Sequence, residues 1–268
     1  MSQRTPRDLL AIGYRHVRAT GEAFCGYTAR RLERTRGHAG VLMYHRVVPD
    51  SADTSDLEPG MFVRASTFER QLHWLASRFR VGTLGDLFDN PPALDDRPVV
   101  ALTFDDGWVD NLEVAWPLLQ RAGLRATIFL VRDWVVTGVN GEGEFMRPSD
   151  VAQLSGEGME FGAHTVTHPK LDQLDRQRIE EELKQSRLAV EGWTGQPCRF
   201  FAFPYGRFND EALEVASRQF LGSVTVEQGW WRCGDATHRI PRIGVHQDMT
   251  TTKSMLLARL AAFAGESR

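Results

Sequence analysis

PVVALTFDDG, residues 98–107, is an apolar run that ends in two adjacent aspartates and a glycine. Its first seven residues carry no charge, which favours a strand buried on both faces, as in parallel sheets. Similar segments occupy residues 41–45, 126–131, 159–164, 199–203 and 221–226. Helical patterns separate them, and this alternation is typical of an α/β domain. We therefore predict a mostly parallel sheet, closed or curled into a barrel by outer helices.

Several of the predicted helices begin at residues that favour helix N-termini. Ser66 is followed three residues later by Glu69, which is the capping-box pattern. Asp175 and Asn209 are short polar residues of the type that cap helix N-termini. The last predicted helix covers about residues 251–264 and is rich in Leu and Ala.

Overall composition is that of a globular protein. The 268 residues are 42% hydrophobic and 25% charged, which allows one large α/β domain or two small ones. A net charge of -3 gives no reason to expect nucleic acid as a partner. Cys25, Cys198 and Cys233 are odd in number and lack C-x-x-C spacing, so we expect neither a disulfide framework nor a zinc ribbon.

The N-terminal segment differs from the rest of the chain. Residues 1–40 hold eight arginines against three acidic residues. Apolar residues at helical spacing are Leu9, Leu10, Tyr14 and Val17. We predict a basic helical extension over residues 1–38 and one domain over residues 39–268. Such a helix either packs on the protein with solvated arginines or lies on anionic lipid.

No apolar run approaches the length of a membrane span, and the N-terminus lacks the apolar region of a signal peptide. We therefore expect a cytoplasmic protein, with peripheral contact at the inner membrane face as an open alternative. Oligomeric state is not encoded in any pattern that we can interpret.

Polar side chains follow four of the predicted strands. In chain order they are His45, Asp105, Asp106, His164, His168 and Tyr205. The carboxyl ends of parallel strands meet at one rim, where the functional residues of α/β domains gather. We therefore expect these groups to lie together.

Two histidines and an aspartate among these groups suit a metal ion. His164 and His168 are four residues apart, and Asp106 is the candidate carboxylate for a His₂Asp site. Three protein ligands with open positions describe a catalytic divalent site, usually of zinc, although nickel or cobalt also fits. Beside such a cation Asp105 stays ionised and can take a proton from water.

Three segments resemble motifs of a known family. TFDDG (103–107), HTVTH (164–168) and FAFPYG (201–206) are similar to the leading motifs of the NodB-homology polysaccharide deacetylases, carbohydrate esterase family 4. The resemblance extends over roughly residues 40–245. It implies a distorted (β/α) barrel, a divalent metal that is commonly zinc, and hydrolysis of an N-acetyl group from an amino sugar. Residues 39–268 would then be the catalytic domain.

The resemblance also implies roles for single residues. Asp105 corresponds to the general base. Arg199, which opens the third motif, would orient Asp105 through charge-assisted hydrogen bonds. The backbone N–H of Tyr205 would stabilise the tetrahedral oxyanion. The implied metal ligands are Asp106, His164 and His168.

Two histidines compete for the role of the acid that protonates the leaving amine. His246, in RIGVHQD, lies in the C-terminal region where many members carry this acid. His45 lies in VLMYHRVV, which resembles a subgroup with the acid-bearing strand at the N-terminus, as if the barrel were circularly permuted. A strand moved from last to first can occupy the same place in a closed barrel. We predict His45, with His246 as the alternative.

Other candidates lie outside the three motifs. Arg242, in IPRIGV, lies near a strand end. It either contacts other site residues or the substrate, or it is a solvated arginine. Trp108 follows DDG and is a candidate platform for stacking on a sugar ring. Trp134, Trp230 and Trp231 are further candidates for ligand contact, but core packing is favoured for each of them.

The function predicted from these residues is metal-dependent N-deacetylation of a polysaccharide, oligosaccharide or lipid-linked saccharide. An N-acetylated saccharide is therefore the expected partner. The alternatives are a deacylase of a non-glycan amide or O-acetyl ester, and an inert glycan-binding module on the same fold.

Overall fold

The computed structural model describes residues 26–93, 97–140, 143–232 and 234–264. The strands in chain order are β1 (His38–Tyr44), β2 (Arg46–Val48), β3 (Phe62–Arg64), β4 (Arg80–Gly82), β5 (Val99–Phe104), β6 (Thr127–Leu130), β7 (Val139–Asn140), β8 (Gly143–Glu144), β9 (Glu160–Ala163), β10 (Phe200–Ala202), β11 (Gly222–Gln228), β12 (Trp231–Arg232) and β13 (Ile240–Gly244).

Helices lie between and around these strands. The α-helices are α1 (Tyr27–Glu33), α2 (Ala65–Arg78), α3 (Leu84–Asp89), α4 (Trp116–Ala122), α5 (Arg132–Thr137), α6 (Pro148–Gly156), α7 (Arg176–Thr194), α8 (Asp210–Gln219), α9 (Gln247–Thr250) and α10 (Lys253–Ala262). Short 3₁₀ turns occupy Pro59–Met61, Leu171–Gln173 and Pro204–Gly206, and a π-helical turn occupies Asn111–Ala115.

Within the described residues, seven strands close into a parallel barrel. Their order around the barrel is β1, β5, β6, β9, β10, β11 and β13, and β1 pairs in parallel with both β5 and β13. The other five pairings of the ring are parallel as well. Strand β4 adds to the side of β5, and β12 pairs antiparallel with β1. The predicted (β/α) barrel is confirmed, and the first strand lies beside the last.

Alternate residues of each barrel strand face different cores, as the two-residue period of a strand requires. Val100 and Leu102 of β5 pack in the larger cluster, under the outer helices. Val99 and Ala101 belong to a smaller cluster that the barrel strands share with α3. This second cluster is apolar, and Thr103 continues the same face of β5 towards the carboxyl end of the barrel.

All six strands that apolar runs predict are present, but the seventh was not predicted. Strand β13 has the sequence IPRIG, and Pro241 and Arg242 interrupt any apolar run. Arg242 is nevertheless fully buried. A charged residue can be buried in a barrel interior only when an oppositely charged residue pairs with it. The local sequence pattern around Arg242 does not reveal that partner.

Two of the three predicted helix caps are confirmed. Asp175 accepts from the backbone N–H of Arg178, and Asn209 accepts from that of Ala212, each at 2.9 Å. The capping box at Ser66 is wrong. Helix α2 already begins at Ala65 without a side-chain cap, and the Ser66 hydroxyl donates to Asp50 instead.

The described part of the N-terminal extension packs on the domain. In α1 the Arg31 guanidinium donates to the carbonyl oxygens of Ala262 and Ala264, and Leu32 packs against the larger core. The apolar stripe predicted over Leu9–Val17 lies outside the described residues, as do Cys25 and Cys233. Lipid contact by this segment therefore stays a prediction. In the part of the chain that is described, no helix combines the length and apolar character needed to cross a membrane.

Candidate active site

The carboxyl rim of the barrel collects the polar groups that the sequence places at strand ends. Asp105 and Asp106 directly follow β5, and the Asp105 backbone N–H donates to Tyr44 of β1 at 3.0 Å. His164 directly follows β9, and its backbone N–H donates to Leu130 of β6 at 2.9 Å. These ladder-like bonds anchor the chain where it leaves the sheet, so the side chains that follow are held in fixed positions.

Asp106, His164 and His168 converge on one point. Oδ1 of Asp106 lies 3.6 Å from Nε2 of His164 and 3.7 Å from Nε2 of His168. The two Nε2 atoms are 3.2 Å apart, and the candidate ligand atoms all lie within 4.8 Å of one another. Two nitrogens and one carboxylate oxygen are a donor set that suits a divalent cation such as zinc. The residues present therefore fit the metal that the sequence predicts.

The imidazoles of this cluster have the protonation that metal binding needs. Nδ1 of His164 is 2.7 Å from the carbonyl oxygen of Ala202, so an N–H there leaves the Nε2 lone pair facing Asp106. Burial lowers the pKa of His164 and lowers that of His168 to about 2. Both rings are therefore neutral at pH 7, and neutral imidazole is the form that binds metals.

Left-handed backbone is concentrated at this site. Of the residues that the structure describes, four non-glycine residues have positive φ, and all four lie in the three rim motifs. They are Asp106 (78°), Thr165 (70°), His168 (58°) and Tyr205 (56°). Such conformations are costly for residues with a Cβ and persist where surrounding contacts enforce them.

Glu182 supplies many of those contacts for the HTVTH loop. This buried residue of α7 accepts from the backbone N–H groups of Val166 and Thr167, at 2.8 and 3.0 Å, and from the Thr167 hydroxyl at 2.9 Å. The Thr165 hydroxyl oxygen also accepts from the His168 backbone N–H. Sequence reasoning missed Glu182, because one glutamate among many in an amphipathic helix carries no distinguishing pattern.

Asp105 is held by a buried arginine. Arg242 donates to both carboxylate oxygens of Asp105, each at 2.7 Å, and its Nε donates to the carbonyl oxygen of Thr225 at 2.8 Å. Burial alone would raise the pKa of Asp105, but the charge and hydrogen bonds of Arg242 outweigh it and hold that pKa below its usual range. Asp105 is therefore an ionised carboxylate beside the candidate metal ligands.

The prediction that Arg199 orients Asp105 is wrong. Arg199 precedes β10, at the amino end of the barrel, whereas the site lies at the carboxyl end. Its guanidinium donates to both carboxylate oxygens of Asp89 on α3, at 2.9 and 2.6 Å. Arg242, which the sequence left open between a supporting and a solvated residue, occupies the position expected of Arg199.

Both candidate acids reach the carboxyl rim. His45 follows β1, and its Nε2 lies 3.9 Å from Oδ2 of Asp105. Burial lowers the pKa of His45 to about 4, although the nearby charge of Asp105 opposes this effect. His246 follows β13 by two residues and forms a hydrogen bond with Asp248. The assignment of the acid stays a prediction.

The aromatic residues around the site have different exposures. Tyr205 is 57% exposed, and its ring centroid lies 4.5 Å from that of His168. The oxyanion role of its backbone N–H stays a prediction. Trp108 is only 3% exposed, so the expected sugar platform at this residue is wrong. Trp230 and Trp231 are buried, as predicted, whereas Trp134 is only partly buried and its ring centroid lies 4.9 Å from that of His168.

Fold and site together define a class of protein, a parallel (β/α) barrel with a His₂Asp cluster at its carboxyl rim. The polysaccharide deacetylase family model matches residues 94–221 of the chain. The chain is 24% identical to YxkH of Bacillus subtilis over 217 residues, 78% of this chain and 72% of that protein. Over the residues that the family model matches, the chain is similar to the polysaccharide deacetylase family.

Two further relatives extend the comparison. A peptidoglycan-N-acetylglucosamine deacetylase of Bacillus cereus is 28% identical over 127 residues, which cover 46% of this chain and 42% of that protein. The structure of the Streptococcus pyogenes deacetylase PplD in complex with acetate is 24% identical and superposes with a TM-score of 0.73, covering 83% of this chain and 98% of that chain. The latter likeness supports the fold.

We expect Arg242→Met to lower the free energy of unfolding by about 3–5 kcal/mol, because it leaves the Asp105 carboxylate buried without its charged partner. Arg199→Met is the matched control, since it breaks a similar pair with Asp89 whose side chains are 31% and 57% exposed. An exposed pair contributes less than about 1 kcal/mol. Urea denaturation measures both variants, and equal losses would contradict the assignment.

Proposed function

We propose that this protein removes the acetyl group from the nitrogen of an N-acetylated amino sugar within a saccharide, with the help of a divalent metal ion, most simply zinc. The observation that carries the proposal is the convergence of Asp106, His164 and His168 beside an ionised Asp105. The match to the polysaccharide deacetylase family model supports deacetylation, and the Bacillus cereus relative is named for that reaction on peptidoglycan N-acetylglucosamine.

The three ligand residues would hold the cation through two neutral nitrogens and one carboxylate oxygen. When bound, the cation supplies Lewis acidity that polarises the acetyl carbonyl and lowers the pKa of a water molecule. Asp106 and His164 are buried, with His164 only 2% exposed, so these residues would hold the cation from the protein side. Three protein ligands would leave coordination open to water and substrate, as a catalytic site requires.

Asp105 acts as the general base. Arg242 keeps its carboxylate charged at neutral pH and fixes both oxygens, so the group neither rotates nor takes up a proton before the reaction. A carboxylate in this state accepts the proton of the attacking water as the water's oxygen bonds to the acetyl carbon. The backbone at Tyr205, bent into a left-handed turn at the same rim, is the candidate donor to the developing oxyanion.

His45 returns a proton to the leaving amine. With a pKa lowered to about 4, His45 is neutral when the reaction starts. His45 therefore gains its proton during the reaction. Asp105 carries a proton after it has deprotonated the water, and it passes this proton to His45, whose Nε2 lies 3.9 Å from Oδ2 of Asp105. The amine then takes that proton as the carbon–nitrogen bond breaks, and acetate and a free amino sugar result.

The proposal is tested by incubating the protein with N-acetylglucosamine oligomers and measuring free amine and acetate. We expect release that a chelator abolishes and added zinc restores, because the three ligands alone cannot activate the amide. An O-acetylated saccharide and a non-glycan amide are the comparison substrates. Hydrolysis of either of these without release from the oligomers would overturn the assignment of substrate.

Substitution of the adjacent residues Asp105 and Asp106 is expected to have different effects on metal binding and on kcat. Asp105→Asn should keep the metal and lower kcat by about 10²–10⁴-fold, because it removes the general base. Asp106→Asn should lose the metal itself, because it removes a ligand. Metal analysis and steady-state kinetics separate the two. Asp89→Asn, at the opposite end of the barrel, is the control, and a metal-free Asp105→Asn protein would contradict the division of roles.

The two candidate acids are distinguished by kinetics. His45→Ala should lower kcat by about 10²–10⁴-fold, whereas His246→Ala should have a smaller effect. His38→Ala is the control, since His38 is the first residue of β1, whereas His45 directly follows the opposite end of that strand. Near-normal kcat for His45→Ala with a large loss for His246→Ala would assign the role to His246.

A further inference from the structure

Trp108 lies in the wall of the site, and its indole N–H points to the carboxylate of Asp106. We infer that Trp108 is a positioning residue that holds one oxygen of Asp106 so that the other faces the metal. The inference rests on the proposed metal site and assigns Trp108 a role different from sugar stacking.

The two oxygens of Asp106 have separate partners. Trp108 Nε1 donates to Oδ2 at 3.1 Å, and both residues are buried. Oδ1 is the oxygen that lies 3.6 Å from His164 Nε2 and 3.7 Å from His168 Nε2. A hydrogen bond on Oδ2 fixes the rotation of the carboxylate about its last bond. Oδ1 is then directed at the two imidazoles before any metal arrives.

Trp108 is itself held on several sides. Its ring packs against Phe145, with centroids 4.4 Å apart, and the Arg46 guanidinium lies 4.3 Å from the ring centroid. Arg46 Nε donates to Asp110 at 2.7 Å, so the cation is fixed over the ring. A Cβ at Gly143 would lie 2.9 Å from the indole, which shows how closely the backbone approaches. The indole therefore has little freedom to turn its N–H away from Asp106.

A ligand that is pre-oriented in this way binds metal more tightly, because binding costs less conformational freedom. Residues that hydrogen-bond metal ligands typically change metal affinity by about 10–100-fold when they are replaced.

The test compares Trp108→Phe with Trp116→Phe in metal-free protein. Trp116 is also buried, and its indole N–H also donates to a carboxylate, that of Glu157 at 2.7 Å, but it lies on α4 away from the ligands. Zinc affinity is measured by competition with a chromophoric chelator. We expect about 10–100-fold weaker binding for Trp108→Phe and no change for Trp116→Phe.

A second variant guards against misfolding of Trp108→Phe, which thermal melting of the metal-free protein detects. Replacing Trp108 by 3-benzothienylalanine retains the bicyclic shape and exchanges only the N–H for sulfur. Weakened zinc binding by this variant supports the inference, and affinity equal to that of the unaltered protein overturns it. An unaltered protein that binds no zinc would instead overturn the proposed metal site.

Discussion

A fully buried guanidinium constrains the whole barrel. Arg242 has no exposed surface, and its charge is matched by Asp105, which it contacts through two bonds of 2.7 Å. Arg242 lies on β13 and Asp105 directly follows β5, and β1 separates these two strands. The pair therefore forms only when β5, β1 and β13 are assembled side by side, and an unpaired charge at this depth would cost about 3–5 kcal/mol. The ionised state of the candidate base thus depends on the assembly of these three strands.

The same constraint separates two acids that are adjacent in sequence. Asp105 faces Arg242, which keeps it ionised and holds both of its oxygens. Asp106, with φ of 78°, turns the other way, towards the imidazoles and the Trp108 indole. Environments that differ this much allow one carboxylate to serve as base and its neighbour as ligand.

How much of this arrangement can be predicted follows from the range of each interaction. Strands such as β5, and the polar residues at their ends, follow from apolar runs, which are local. The burial of Arg242 could not be predicted in this way, because its partner Asp105 is distant in sequence and its own strand contains Pro241. Arg199 was misassigned since a motif gives order along the chain but not which end of the barrel a residue occupies. The exposure of a side chain cannot be predicted from its place in a motif either. Trp108 directly follows the DDG motif, yet it is buried.

Closure of the ring also explains why two histidines compete for one role. Strands β1 and β13 are neighbours, so His45 after the first strand and His246 after the last reach the same stretch of rim. Their surroundings differ. His45 lies 3.9 Å from the base, whereas His246 is engaged by the carboxylate of Asp248. A histidine that receives a proton from Asp105 must lie close to Asp105, and His45 meets this requirement. The positions of the two histidines therefore support the proposal that His45 transfers the proton to the amine.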